Sequence, residues 1–346
     1  MQYVDWEFAK TTGRALVPAG PSVTPGEARS EVAAIRAAAR AAIAPVADTA
    51  RMHTPPDAPE PLVVDRATWI AVNADSMSAL LDPAIASLVE KRGVTPGATA
   101  QAVGGKVTGA EAGGLLAFMA TKVLGQYDIA PGGSPALLLV APNLMSVSRE
   151  LGVDPADFRA WVCMHEETHR VQFTANPWLR EHVIERARTL AVDLAPDQER
   201  LQELANRLTE RLPELFQEGS TGLAELFTTP EQRDELARLT AVMSLLEGHA
   251  DVVMDDVGPA RIPSVADIRR RFTERRRGAG TPDRLLRRLL GLEAKLRQYR
   301  DGAVFVRGVQ EQVGVDGFNA VWTSPETLPL PREITDPTAW VRRIHG

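Results

Sequence analysis

The chain is short of several things that narrow its class. Of its 346 residues only Cys163 is a cysteine, so no disulfide can form within it and secretion receives no support. Neither a positively charged leader with an apolar run behind it nor an apolar stretch of about eighteen residues is present, which leaves the cytoplasm as the expected compartment and no membrane as a partner. Lysine is scarce, confined to Lys10, Lys91, Lys106, Lys122 and Lys295, the other basic residues being arginine. There is no basic excess either. Thirty-nine Lys and Arg face forty-five Asp and Glu, a net charge of −6, which argues against a general nucleic-acid binder. The one basic run, Arg269 to Arg277, lacks interleaved aromatics and reads as a solvated helix end.

What is present is ordinary globular material, 44% hydrophobic and 24% charged, enough for a sizeable core in one large domain or two closely packed lobes. Apolar spacing is mostly helical, so the expected class is mainly α, an α+β fold with a small sheet. An N-terminal helical region is expected over 1–130 and a second region over 131–346, with a helical insertion at 185–240. Helices are expected from Glu27 to Met52, interrupted at Pro45, and from Asp65 to Arg92, broken near Pro83. Trp6 and Phe8 are expected to dock on the body, and the proline-rich tail from Thr323 onward to wrap the surface. Gly104-Gly105-Lys106 lacks the spacing of a phosphate loop, so the glycines of that region are read as sites of close helix approach. Ala136 to Asn143, short and apolar, is the clearest strand. It is either an interior strand or an edge on which an extended substrate lies.

Chemistry concentrates in Asp157 to Trp178. Asp154 and Pro155 suit a helix start, and Asp157 suits its first turn. On that helix His165-Glu166-Glu167-Thr168-His169 puts two imidazoles on one face, four residues apart, with Zn²⁺ as the natural occupant. Glu166 lies about 100° round from His165, beside the metal, where it can act as general base. Glu167 points elsewhere, and Cys163 reads as packing. His53 and His182 are expected to stand outside the site.

A third ligand is expected from the helix Glu231 to about Asp256. Glu247 and Asp251 share a face there and resemble the E-x-x-x-D signature of glutamate-type zincins, Glu as metal ligand and Asp orienting a histidine. His249 is the rival ligand, about 200° from Glu247, and would otherwise pack or reach substrate from an irregular turn near Gly248. Tyr127 and Tyr299 are candidate oxyanion contacts.

The blocks DRATW, VLGQYD, VAPNLMSVSRELGVDPADFRAWVCMHEETHRVQFTANPWLREH, LLEGHADVVMDDVG and KLRQYRDGAVFV together resemble the bacterial zincin-like metallopeptidase type 2 family. Its members are described as hydrolases or as coenzyme F420 biosynthesis-associated proteins of actinobacteria. The resemblance implies a mainly helical zincin-like fold with metal at His165 and His169 and Glu166 as general base. The expected function is zinc-dependent hydrolysis of a peptide or other amide-containing substrate. The alternative is a non-catalytic scaffold with the same fold, linked to cofactor metabolism, which a fourth protein ligand such as His249 or His182 would favour.

Overall fold

The computed structural model describes residues 3–92, 98–193, 229–277 and 292–346. In chain order it forms α1 (Trp6–Leu16), α2 (Pro25–Ala50), β1 (Leu62–Val64), α3 (Arg66–Arg92), α4 (Ala98–Ala120), β2 (Gly125–Asp128), β3 (Ala136–Val140) and α5 (Ala141–Leu151). Then follow α6 (Pro155–Thr174), α7 (Pro177–Asp193), α8 (Pro230–Val257), α9 (Val265–Arg277), α10 (Leu292–Phe318), three 3₁₀ turns and α11 (Pro337–His345). The class is therefore mainly α with a small sheet. Most of the helical insertion expected at 185–240 lies outside the described residues.

The sheet has the order β1-β3-β2, with β1 parallel and β2 antiparallel to β3. β3 is thus the interior strand, and the edge beside the motif helix belongs to β2. Why β3 reads as an unbroken apolar run follows from its place between two cores. Leu138 and Val140 face one core, with Trp6, Trp69, Ile70 and Leu116, while Leu139 faces the other, with Phe158, Leu245 and Phe305. Alternate side chains point to opposite faces, and both faces are covered.

In the smaller core α4 lies against α1 through glycine. A Cβ on Gly109 would stand 2.5 Å from Asp5 O, and one on Gly113 2.5 Å from Ala9 O. In the larger core α6 packs between α2, α5 and α8, burying Phe158, Trp161, Val162 and Phe173 as its spacing required.

Several expectations are corrected. The strand ends at Val140 rather than Asn143, because Pro142 suits the first turn of α5. Asn143 turns inward there, accepting from Arg66 and donating to the carbonyls of Ala120 and Val123. α2 runs unbroken through Pro45 and α3 through Pro83. In α2 the buried flank of Ala42, Val46, Ala47 and Ala50 holds the helix against α6 despite one missing hydrogen bond. Trp6 docks, bonding Asp82 through its indole N–H, but Phe8 is exposed. The tail from Thr323 is core rather than wrapping: Leu328, Ile334 and Trp340 are buried, and the Trp340 indole donates to Thr327 O.

Candidate metal centre

The sequence starts α6 as expected. Asp154 accepts from the backbone N–H groups of Ala156 and Asp157 at 2.8 and 2.9 Å, with Pro155 in the first turn. Ten residues along the helix, His165 and His169 bring their Nε2 atoms to 3.2 Å of each other. Glu247 arrives from the middle of α8, a helix opened by a Thr229–Gln232 capping box. Its Oε2 lies 3.5 Å from each imidazole Nε2.

Those three distances decide what the cluster fits. A tetrahedral zinc with metal–ligand distances of about 2.0–2.2 Å separates its ligand atoms by about 3.3–3.6 Å. The three atoms stand at the corners of such a face. Glu247 Oε2 is also buried without a hydrogen bond, since 3.5 Å to either ring is too long for a good one. An orphaned buried carboxylate oxygen is costly unless a cation satisfies it. Among the described residues this is the one group of three or more His, Cys, Asp or Glu spaced to hold a metal. His165, His169 and Glu247 are thus a chemically suitable donor set for zinc.

Without a metal the same cluster favours a protonated His169. Burial disfavours the charged form of His169, but pairing with Glu247 outweighs it and pushes the imidazole up to about 9. Burial likewise opposes ionisation of Glu247, but pairing with His165 and His169 holds it well below the usual range. A raised histidine contributes stability that is complete below its unfolded value near 6.5 and is lost as pH climbs through 9. The lowered glutamate contributes above about 4.5 and loses its effect on acidification. The metal-free protein should therefore be most stable near pH 6.5, because below that value the buried His249, lowered to about 3, favours the protonated unfolded chain, and it should lose on the order of 3 kcal/mol by pH 10. Chemical denaturation at several pH values checks this; a flat profile from 6.5 to 10 would contradict the His169–Glu247 pairing.

Glu166 is buried against the sheet. A Cβ on Gly125 of β2 would stand 2.6 Å from its Cγ and 2.7 Å from its Cδ, so only glycine lets the edge strand approach that carboxyl. Glu167 faces another way, paired to Arg170 at 3.1 Å and accepting from Thr54. Arg170 in turn donates to Ala58 O and Pro59 O, tying the proline-rich loop to α6. Cys163 is buried, and burial pushes its thiol up to about 12.

Two expected neighbours are placed elsewhere. Asp251 does not orient a histidine ligand; it faces Arg269, whose guanidinium lies 3.6 Å from its carboxylate and 3.0 Å from that of Asp255. Nor can His249 reach substrate. Its ring is buried against Phe318 and Trp322, and α8 continues as regular helix through Gly248. Burial, then the charge on His169, lowers His249 to about 3. The group that does touch a candidate ligand's outer nitrogen is Gln172, at 3.0 Å from His169 Nδ1. Its i, i+3 spacing from His169 was the signal in the sequence.

Tyr127 stacks on Phe173 at 5.3 Å, and burial raises its phenol. The side chain of Tyr299 lies outside the described residues. His182 packs on Trp178 away from the cluster, and His53 is exposed. The basic run on α9 is matched by acids: Arg270 and Arg271 pair with Asp267, and Arg275 with Glu150.

A family model described as zincin-like metallopeptidase matches residues 4–341. The chain belongs to that family. This zincin-like chain is also similar in structure to one from Chloroflexus aurantiacus, described as "a putative hydrolase with a novel fold". The two share 30% identity with a TM-score of 0.69, over 99% of each chain. No curated protein matches the sequence. Among the described residues of this family member, no helix is long and apolar enough to cross a membrane.

Proposed function

We propose that the chain is a zinc-dependent hydrolase that cleaves an amide bond in an extended peptide. The observation that carries this reading is the 3.2, 3.5 and 3.5 Å triangle of His165, His169 and Glu247, with neither His249 nor His182 joining it. Three protein ligands are the pattern of a catalytic zinc, and four that of a structural one. A fourth protein ligand would have favoured the rival scaffold reading.

Zinc, when bound, supplies Lewis acidity toward a carbonyl oxygen and lowers the pKa of water. The remaining steps belong to side chains and backbone. Glu166 takes the proton of the attacking water and delivers it to the leaving nitrogen. β2 offers the surface on which a peptide can lie. Val140 N–H donates to Leu124 O, so by antiparallel alternation Gln126 and Asp128 direct their backbone groups toward β3, and Gly125 and Tyr127 direct theirs to the free edge. An extended substrate pairing with that edge would pass beside Glu166, because Gly125 is the residue in contact with it.

Zinc-loaded protein incubated with a mixed peptide library should give new N-termini detectable by mass spectrometry, and a chelator should suppress them. Product formation equal to the chelated control would refute the reading. In the same assay Gly125→Ala should lower turnover by about 10²-fold through displacement of Glu166. Its melting temperature should fall only modestly, since the clash is with a side chain and not with backbone.

A further inference from the structure

Three groups behind the metal centre converge on one amide. Gln172 is fully buried; its Oε1 lies 3.0 Å from His169 Nδ1, and its Nε2 lies 2.9 Å from Leu246 O and 3.0 Å from His249 Nδ1. A backbone carbonyl only accepts, so the amide nitrogen must face Leu246 and the amide oxygen must face His169. An amide oxygen also only accepts. His169 Nδ1 must therefore carry a proton and donate it, which leaves Nε2, facing His165 and Glu247, as the nitrogen that a metal would take in place of a proton.

The second amide hydrogen falls on His249 Nδ1, making that nitrogen an acceptor and placing the ring proton on Nε2. His249 is held between Phe318 and Trp322, at centroid distances of 5.4 and 5.3 Å, so it forms a fixed stop for the amide. Leu246 is the residue before Glu247. One side chain on α6 thus sets the outer nitrogen of one candidate ligand and grips the α8 backbone beside another.

The geometry points to Gln172 as the positioning residue of the metal centre: it fixes the tautomer and ring angle of His169 and the placement of Glu247 together, with His249 as its backstop. This rests on His165, His169 and Glu247 being metal ligands. It gives the buried histidine a function, and it puts an uncharged group where a carboxylate commonly stands behind a metal-bound imidazole. With a neutral amide there, His169 is a weaker donor than a carboxylate-backed ring, and the charge of the donor set comes from Glu247 alone.

The test compares wild type, Gln172→Met and Gln172→Glu, each as the full chain. Zinc affinity is read by competition with a chromophoric chelator, and the His169 ring protons by long-range proton–nitrogen NMR of zinc-loaded protein. Gln172→Met should bind zinc about 10–100-fold more weakly, and its His169 Nδ1–H should exchange quickly with solvent. Gln172→Glu, which keeps an acceptor for that proton, should recover part of the affinity. Wild type binding zinc while Gln172→Met binds it equally well overturns the role of Gln172 alone; wild type binding no zinc overturns the metal reading. Should the methionine variant not fold, the wild-type spectrum decides. A slowly exchanging Nδ1–H on His169 supports the assignment, and zinc on Nδ1 overturns it.

Discussion

Glu166→Gln is expected to cut hydrolysis by about 10²–10⁴-fold, the usual contribution of a positioned general base, with zinc content unchanged. The two halves of that result come from different parts of the structure. On the proposed reading zinc content depends on His165, His169 and Glu247, the group spaced to hold a metal, and Glu166 is outside that set. Turnover depends on a carboxylate that can take a proton, and glutamine fills the same space beside Gly125 without being able to take one. Side-chain length and burial are conserved, so the melting temperature should stay close to that of wild type. Turnover within twofold of wild type would remove Glu166 from the chemistry.

Gly302→Ala should be the most damaging single-methyl change. Gly302 of α10 meets α8 backbone to backbone: a Cβ there would stand 1.8 Å from Ser244 O, and a Cβ on Gly248 would stand 2.1 Å from Gly302 C. Ordinary overpacking costs about 1–3 kcal/mol because side chains can shift. Here the obstacle is the carbonyl of a buried helix, so the helices must separate, and the loss should exceed about 3 kcal/mol. α8 carries Glu247 next to Gly248, so whatever folded protein remains should also bind zinc more weakly. Val304→Ala is the control, two residues along α10 at a side chain that is 58% exposed; it should stay within about 0.5 kcal/mol of wild type. Urea denaturation of both variants checks this, and a Gly302→Ala midpoint near wild type would contradict the crossing.

The local features of the site were legible and the tertiary ones were not. The α6 start, the pairing of His165 with His169, and the burial of Phe158, Trp161 and Phe173 all follow from helical spacing and capping within one segment. Glu247 could be nominated because its four-residue spacing from Asp251 resembles E-x-x-x-D, although the Asp251 half of that pattern faces Arg269 instead. Asp251 could be placed on its face, but the direction of that face depends on α9, where Arg269 competes for it. Gln172 escaped notice because an amide in a helix carries no motif, although its spacing from His169 put it on the right face. β1 and β2 are three and four residues long. Neither has a periodicity to read, and both exist through pairing with β3. The tail misled by its prolines, which punctuate short 3₁₀ turns while Leu328, Ile334 and Trp340 fill the core between them.

The most direct test of three side chains converging on one cation is an anomalous difference map collected at the zinc absorption edge from crystals of zinc-loaded protein. The expected result is one strong peak about 2.0–2.2 Å from His165 Nε2, His169 Nε2 and a Glu247 oxygen, with no fourth protein atom bound. A peak that excludes Glu247, or one closed by a fourth side chain, would contradict it.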